Sequence, residues 1–285
     1  MLVTIYIPTK DRAEALAVAV DSVLCQTYQE FELIVVNDGA ADSTEKYLAD
    51  LTANDSRVRA INNQQSHGAP AARNRAIREA RGFFVTGLDD DDHFQPDRLA
   101  SFVSCWESLK ANGVTPSCLY SQDLIIEGND RIRLTKKAGQ VRYEDLFSYN
   151  CIGNQIFAPR SHFIESGLFD ESLRAWQDLE FFMRVLKNFG PAHLLDAVTY
   201  IFDDSPRGDR ISHKSPSKIY NAFEQVALKH APNGGMRRQQ LFLQVFSPYY
   251  GFRPRVRDWM EFVKDGFWLT GMLRLLKATV KNASH

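Results

Sequence analysis

The sequence predicts an α/β fold: a mainly parallel sheet flanked by helices on both faces, followed by a helical C-terminal extension. Three observations predict it. Over the first hundred residues, apolar runs of strand length alternate with amphipathic stretches of helical period, without internal repeats. These runs stop in polar residues, at Thr9, at Asn37-Asp38 and at Asp89. Beyond about residue 217 the texture turns helical and aromatic.

Leu2 to Ile7 reads as a buried strand stopped by Pro8. Asp11 and Glu14 form a capping-box pattern ahead of a helix with the stripe Leu16, Val20, Val23 and Leu24. Phe31 to Val36 is a second strand, running into the turn Asn37-Asp38-Gly39. Asp42 and Glu45 repeat the capping pattern before a helix lined by Tyr47, Leu48 and Leu51. Val58 to Ile61 is a short third strand, and HGAPAARNRAIREARG a helix opened by Pro70 and closed by Gly82. Right-handed crossovers between such strands bring Thr9, Asp38 and Asp89 to one edge of the sheet.

From Pro96 to about Ala111 a helix turns Leu99, Phe102, Val103, Trp106 and Leu109 inward. Ser117 to Ser121 is a strand, and LIIEGNDRIRL a hairpin around Gly128-Asn129-Asp130. Tyr143 to Tyr149 reads as helical, Asn154 to Ala158 as extended, and His162 to Ser166 as a short helix ended by Gly167. Trp176 to Asn188 is an amphipathic helix with the stripe Leu179, Phe182, Met183 and Leu186, followed by a strand near Ala197 to Phe202. The polar, proline-punctuated stretch at 203–216 reads as a loop or lid. From Arg253 onward, seven basic and three acidic residues stand among aromatics and leucines. Two readings stand side by side there: helices packed on the core, or a cationic amphipathic surface resting on anionic lipid.

A chain of 285 residues buries a substantial core, as one large domain or two small ones, and its net charge of −1 argues against bulk attraction to nucleic acid. The four cysteines, Cys25, Cys105, Cys118 and Cys151, form no CxxC pair, so neither a zinc site nor a disulfide framework is indicated. Free thiols in a reducing cytoplasm are the simplest account. No secretory signal is evident after Met1, and no uncharged apolar run approaches the ~20 residues that span a bilayer.

The chemistry concentrates at Phe83–Leu99, where an apolar run ends in four consecutive aspartates, Asp89 to Asp92. Crowded carboxylates disfavour joint ionisation, and a cation relieves them. Hard oxygen ligands suit Mg²⁺ or Mn²⁺, completed by water and phosphate oxygens. A solvated acidic loop is the plain alternative, less suited to the carboxyl end of a buried strand. A helix–loop–helix calcium site fits poorly, because Phe94 occupies the sixth position, where glycine belongs. Asp38 suits either a ligand's polar edge or a turn. Arg73 suits phosphate oxygens or a plain helix surface, and Asp178 suits a general base or a helix N-terminal carboxylate.

PTKDR at 8–12, VVNDGAADST at 35–44, HGAPAARNRAI at 67–77, LDDDDHFQPDRL at 88–99 and WQDLEFFMR at 176–184 resemble, in order and spacing, the successive motifs of the family 2 glycosyltransferases. The resemblance covers about residues 1–205 and is closest to bacterial members that assemble exopolysaccharide, O-antigen or lipopolysaccharide core. It implies the GT-A fold, with a Rossmann-like nucleotide-sugar-binding half at 1–100 and an acceptor-binding, catalytic half at 101–205. A lid and helical extension follow at 206–285. It further implies an inverting, metal-dependent transfer from a nucleotide-sugar, UDP-linked, to a hydroxyl of a surface glycan or lipid-linked saccharide, in the cytoplasm or at the cytoplasmic face of the inner membrane.

By that resemblance Pro8, Thr9 and Asp38 contact the base and ribose, and Arg73 supports the diphosphate. Asp89, Asp90 and Asp91 occupy the DxD region, with Asp91 and Asp89 as contacts for Mn²⁺ or Mg²⁺. Asp178 falls on the catalytic base, beside Gln177 where the family commonly has glutamate. His213 is a candidate for the metal site or lid, and Asn154 and Gln155 for the acceptor. A nucleotidyltransferase wants a glycine-rich basic loop that PTKDRAEA lacks, and a DxDxT phosphatase wants a hydroxyl residue that DDDDH lacks. A silent nucleotide-sugar-binding subunit is the remaining alternative; Gln177 speaks for it, Asp178 and the intact aspartate run against it.

Overall fold

The computed structural model describes residues 1–127, 131–204 and 215–281. Parallel strands β1 (Val3–Thr9), β2 (Phe31–Asn37), β3 (Val58–Asn62) and β4 (Phe84–Gly87) form one half of a sheet. Helices α1 (Ala13–Leu24), α2 (Thr44–Asn54) and α3 (Ala69–Glu79) connect them. The other half contains β5 (His93–Phe94), β6 (Leu119–Glu127), β7 (Arg131–Leu134), β8 (Gln140–Val141), β9 (Phe157–Pro159) and β10 (Ala192–Asp204). The order across the sheet is β3-β2-β1-β4-β9-β6-β10-β5, with β7 on β6 and β8 on β10. One sheet therefore crosses the expected boundary at residue 100. Strand β9 runs antiparallel between β4 and β6, so the sheet is mixed; its parallel parts are β3-β2-β1-β4 and β6-β10.

Strand alternation divides the core in two. Val3, Ile5, Ile7, Leu33, Val35 and Phe84 face one side, against Leu16 and Val20 of α1 and Leu99, Phe102 and Trp106 of α4 (Arg98–Ala111). Tyr6, Ile34, Val36 and Val85 face the other, against Ala72, Ala76 and Ile77 of α3. That second core also takes Leu179, Phe182 and Met183 of α6 (Gln177–Phe189) and Phe223 of α7 (Pro216–His230). A short helix α5 (Arg160–Glu165) follows β9. The extension continues through α8 (Gly235–Val245), α9 (Val256–Lys264) and α10 (Leu269–Lys281).

Several expectations change in detail. Neither capping box forms. Asp42 instead accepts from the Ala13 amide at 3.1 Å, and Asp11 from the Ala41 amide at 2.6 Å. Parallel pairing of β1 with β2 sets their following loops side by side, so each carboxylate reaches its neighbour's backbone, while Asp42 also accepts from the Thr44 amide of its own helix at 3.0 Å. The strand expected at Ser117 to Ser121 runs on to Glu127, and Tyr143–Phe147 is a 3₁₀ turn. The hairpin is present as antiparallel β6–β7, whereas its turn at Gly128-Asn129-Asp130 lies outside the described residues. So do His213 and most of the expected lid.

Candidate active site

At β1 the chain order reverses, with β2 on one side and β4 on the other, which opens a crevice at the carboxyl ends of these strands. A cavity of about 1190 Å³ occupies it. Of the residues expected at the site, Pro8, Thr9, Asp38, Arg73, Asp89, Asp90, Asp91, Asn154 and Asp178 line this cavity.

Each aspartate of the run has a different setting. Asp89 accepts from Arg73 Nη2 at 3.0 Å and from Gln155 Nε2 at 3.2 Å. Asp90 is buried, taking the Thr9 hydroxyl at 2.7 Å and Arg12 Nη1 at 3.0 Å. Burial pushes its carboxyl up to about 6, despite the bonds from Thr9 and Arg12. Asp91 reaches the cavity and lies 3.1 Å from the same Arg12 nitrogen. Asp92 turns away under β10, where the Tyr200 hydroxyl donates to it at 2.6 Å; burial and the nearby Asp89 charge hold it well above the carboxylate range.

Gln155, expected among the acceptor contacts, is buried behind Asp89 and accepts from the Tyr6 hydroxyl at 3.2 Å. It braces Asp89 instead of facing the cavity. The approach depends on Gly87, where a Cβ would meet Gln155 Oε1 at 2.1 Å and the Tyr6 ring at 2.5 Å.

Asp38 lines the wall, yet its carboxylate accepts from Asn63 Nδ2 at 2.8 Å, Ser66 Oγ at 2.7 Å, the His67 amide at 2.9 Å and the Gly68 amide at 2.7 Å. Burial alone would raise it; these donors outweigh burial and hold it below the usual range. The carboxylate thus ties β2 to the loop that opens α3.

Arg73 joins the two ends of the site. Its Nη2 bonds Asp89, while Nη1 reaches Gln177 Oε1 at 3.1 Å and Asp178 Oδ1 at 3.4 Å. Asp178 stands in the first turn of α6 with 27% of its side chain open. Burial raises its carboxyl to about 6, with Arg73 pulling it down and Asp89 pushing it up. A carboxylate near 6 suits proton transfer around neutral pH.

Sequence reasoning assigned no role to Arg12, Trp176 or Tyr250. Arg12 was visible inside PTKDR, as the second cation after the end of β1, beyond Lys10. Trp176, just before α6, holds a left-handed backbone at φ 59° and donates its indole N–H to the Tyr250 hydroxyl at 3.0 Å. Side chains in that region are strained and persist where surroundings hold them, often beside a site. Nothing local to Tyr250 announces this contact, 74 residues away in the chain.

Among the described residues, no three Asp, Glu, His or Cys side chains converge closely enough to hold a metal by themselves. The donor set still fits Mn²⁺ or Mg²⁺, which take one or two carboxylates and complete their shell from water and substrate phosphates. Asp91 and Asp89 both line the cavity, within a run whose crowded members Asp90 and Asp92 are raised.

This crevice, with its carboxylates ending β4 and opening α6, sits in an α/β fold of the GT-A type. The family model for glycosyl transferase family 2 matches residues 4–164, more than half of the chain, and the chain belongs to that family. It is 35% identical over 228 residues to a provisionally named colanic acid biosynthesis glycosyl transferase, WcaA, of Escherichia coli (strain K12), covering 78% of this chain and 79% of that protein. It spans under half the length of some longer relatives.

Two solved structures share the fold at low identity. S. aureus TarS 1-349 in complex with UDP-GlcNAc has a TM-score of 0.70 at 16% identity, covering 93% of this chain and 79% of that one. The mannosyltransferase PcManGT of Pyrobaculum calidifontis, in complex with GDP-Man and Mn²⁺, has a TM-score of 0.58 at 16% identity, covering 97% and 72%.

Proposed function

We propose that the protein is an inverting, metal-dependent glycosyltransferase. It moves a sugar from a UDP-linked donor to a hydroxyl of a growing bacterial surface polysaccharide or a lipid-linked saccharide. The observation that carries this reading is the cavity-facing Asp178 at the start of α6, joined through one guanidinium to Asp89. The likeness to a colanic acid glycosyl transferase supports the polysaccharide product, and the UDP-GlcNAc complex of TarS supports the donor.

Pro8, Thr9 and Asp38 form the wall for the base and ribose, where Asp38 meets the base by exchanging one of its loop donors. Arg73 positions both carboxylates and offsets charge near the diphosphate. Asp91 and Asp89 would hold Mn²⁺ or Mg²⁺, which would supply Lewis-acid relief of the leaving diphosphate. Asp178 accepts the acceptor hydroxyl's proton as that oxygen bonds to the anomeric carbon. The bond from that carbon to the diphosphate breaks on the opposite face. Asn154 lines the acceptor side.

Asp178→Asn tests the assignment. UDP titrated calorimetrically with Mn²⁺ should bind as to the wild type, while transfer falls at least ~100-fold. Unchanged turnover would remove Asp178 from the mechanism.

A further inference from the structure

The last two helices leave apolar side chains uncovered at helical spacing. Met260 and Val263 on α9, Phe267 at the turn, and Leu269, Leu273 and Leu276 on α10 are all exposed, Phe267 by 81%. Solvent-facing leucines one turn apart are an unpartnered stripe, not scattered surface residues.

The charges beside the stripe are sorted by sign. All three acids of this segment are partnered within the protein. Glu261 and Asp265 pair with Arg238 of α8 at 3.1 and 2.9 Å, and Asp258 is buried, accepting from the Arg255 amide at 2.7 Å. Lys264 pairs with Glu261 at 2.7 Å, so the outward cations of this segment include Arg274 and Lys277 of α10, both exposed. No described helix is long and apolar enough to cross a bilayer, so a face of this kind lies on the headgroups.

We propose that the outer face of α9 and α10 docks on an anionic bilayer surface. At about 100° per residue, Arg274 and Lys277 fall between the leucine stripe and the buried Leu275 side, and both also line the cavity. Docking sets these cations, and the cavity mouth with them, at the level of lipid headgroups. The acceptor is then a saccharide carried on a lipid and presented from the membrane; this last step rests on the transferase reading, whereas docking does not.

The test is co-sedimentation with DOPG/DOPC vesicles, pure DOPC vesicles, and the triple variant Leu269→Ser, Leu273→Ser, Leu276→Ser, whose side chains are exposed and outside the cavity lining. The wild type should partition onto DOPG vesicles at least tenfold better than onto DOPC, and less so in high salt. The triple variant should lose at least tenfold of that binding, with unchanged circular dichroism and UDP affinity. Three outcomes overturn the proposal: no wild-type binding, equal binding by the variant, or a wild-type dimer in light scattering that the variant dissolves, which would give the stripe to a second copy. Each leaves UDP binding and the Asp178→Asn result standing, so the two readings fail separately.

Discussion

Arg73 serves two carboxylates that arrive from motifs nearly ninety residues apart. A planar guanidinium can do this because its two terminal nitrogens point to different partners; a lysine point charge cannot hold both directions. Gln177 takes part of the same nitrogen's capacity without bringing a charge, so the guanidinium's field falls on Asp89 and Asp178. The sign of the consequence is fixed. A general base works ionised, so kcat/KM falls as pH drops through its value, and Arg73 keeps that value down. In Arg73→Met the carboxyl should rise, moving the acidic limb of the kcat/KM–pH profile upward by about one pH unit or more. A limb that stays in place would mean that the guanidinium holds position only.

Helix α6 carries Asp178, the proposed base, at its first turn and is anchored on its far side by a buried acid. Glu180 is fully buried and lies 2.7 Å from Arg184, 3.1 Å from Lys229 and 3.6 Å from His230. Burial alone would raise its carboxyl; His230, Arg184 and Lys229 outweigh burial and bring it to about 2. Its value in the folded protein thus lies below the ordinary 4.5, so the network stabilises above about pH 4.5 and loses that contribution as pH falls toward 2. Glu180→Gln should cost roughly 3 kcal/mol near pH 7 and flatten the decline in stability between pH 4.5 and 3, measured by urea unfolding across that range. An undiminished decline would place the acid sensitivity elsewhere. The amphipathic stripe of α6 was readable from its spacing. The network was not, because Lys229 and His230 belong to α7 and no local pattern links them to Glu180.

Across the whole molecule, the extension closes the cavity that the sheet opens. Ser247, Tyr250, Arg274 and Lys277 line it together with the aspartates, and the Trp176–Tyr250 bond fixes the residue just before α6. Tyr250→Phe removes only the hydroxyl; it should cost about 1 kcal/mol of stability and lower kcat severalfold while the UDP dissociation constant stays put. An unchanged kcat would reduce the extension to packing. The sequence by itself determined the α/β half and the residues at its carboxyl ends. Strand alternation, helix period and turn chemistry are local, and together they place Thr9, Asp38 and Asp89 on one rim. Only the tertiary structure decided what each polar group meets: Asp42 on the Ala13 amide, Gln155 behind Asp89, Asp92 under Tyr200, Trp176 on Tyr250. A hydrogen bond between distant segments leaves no mark on the residues around either partner, because it depends on how the layers pack.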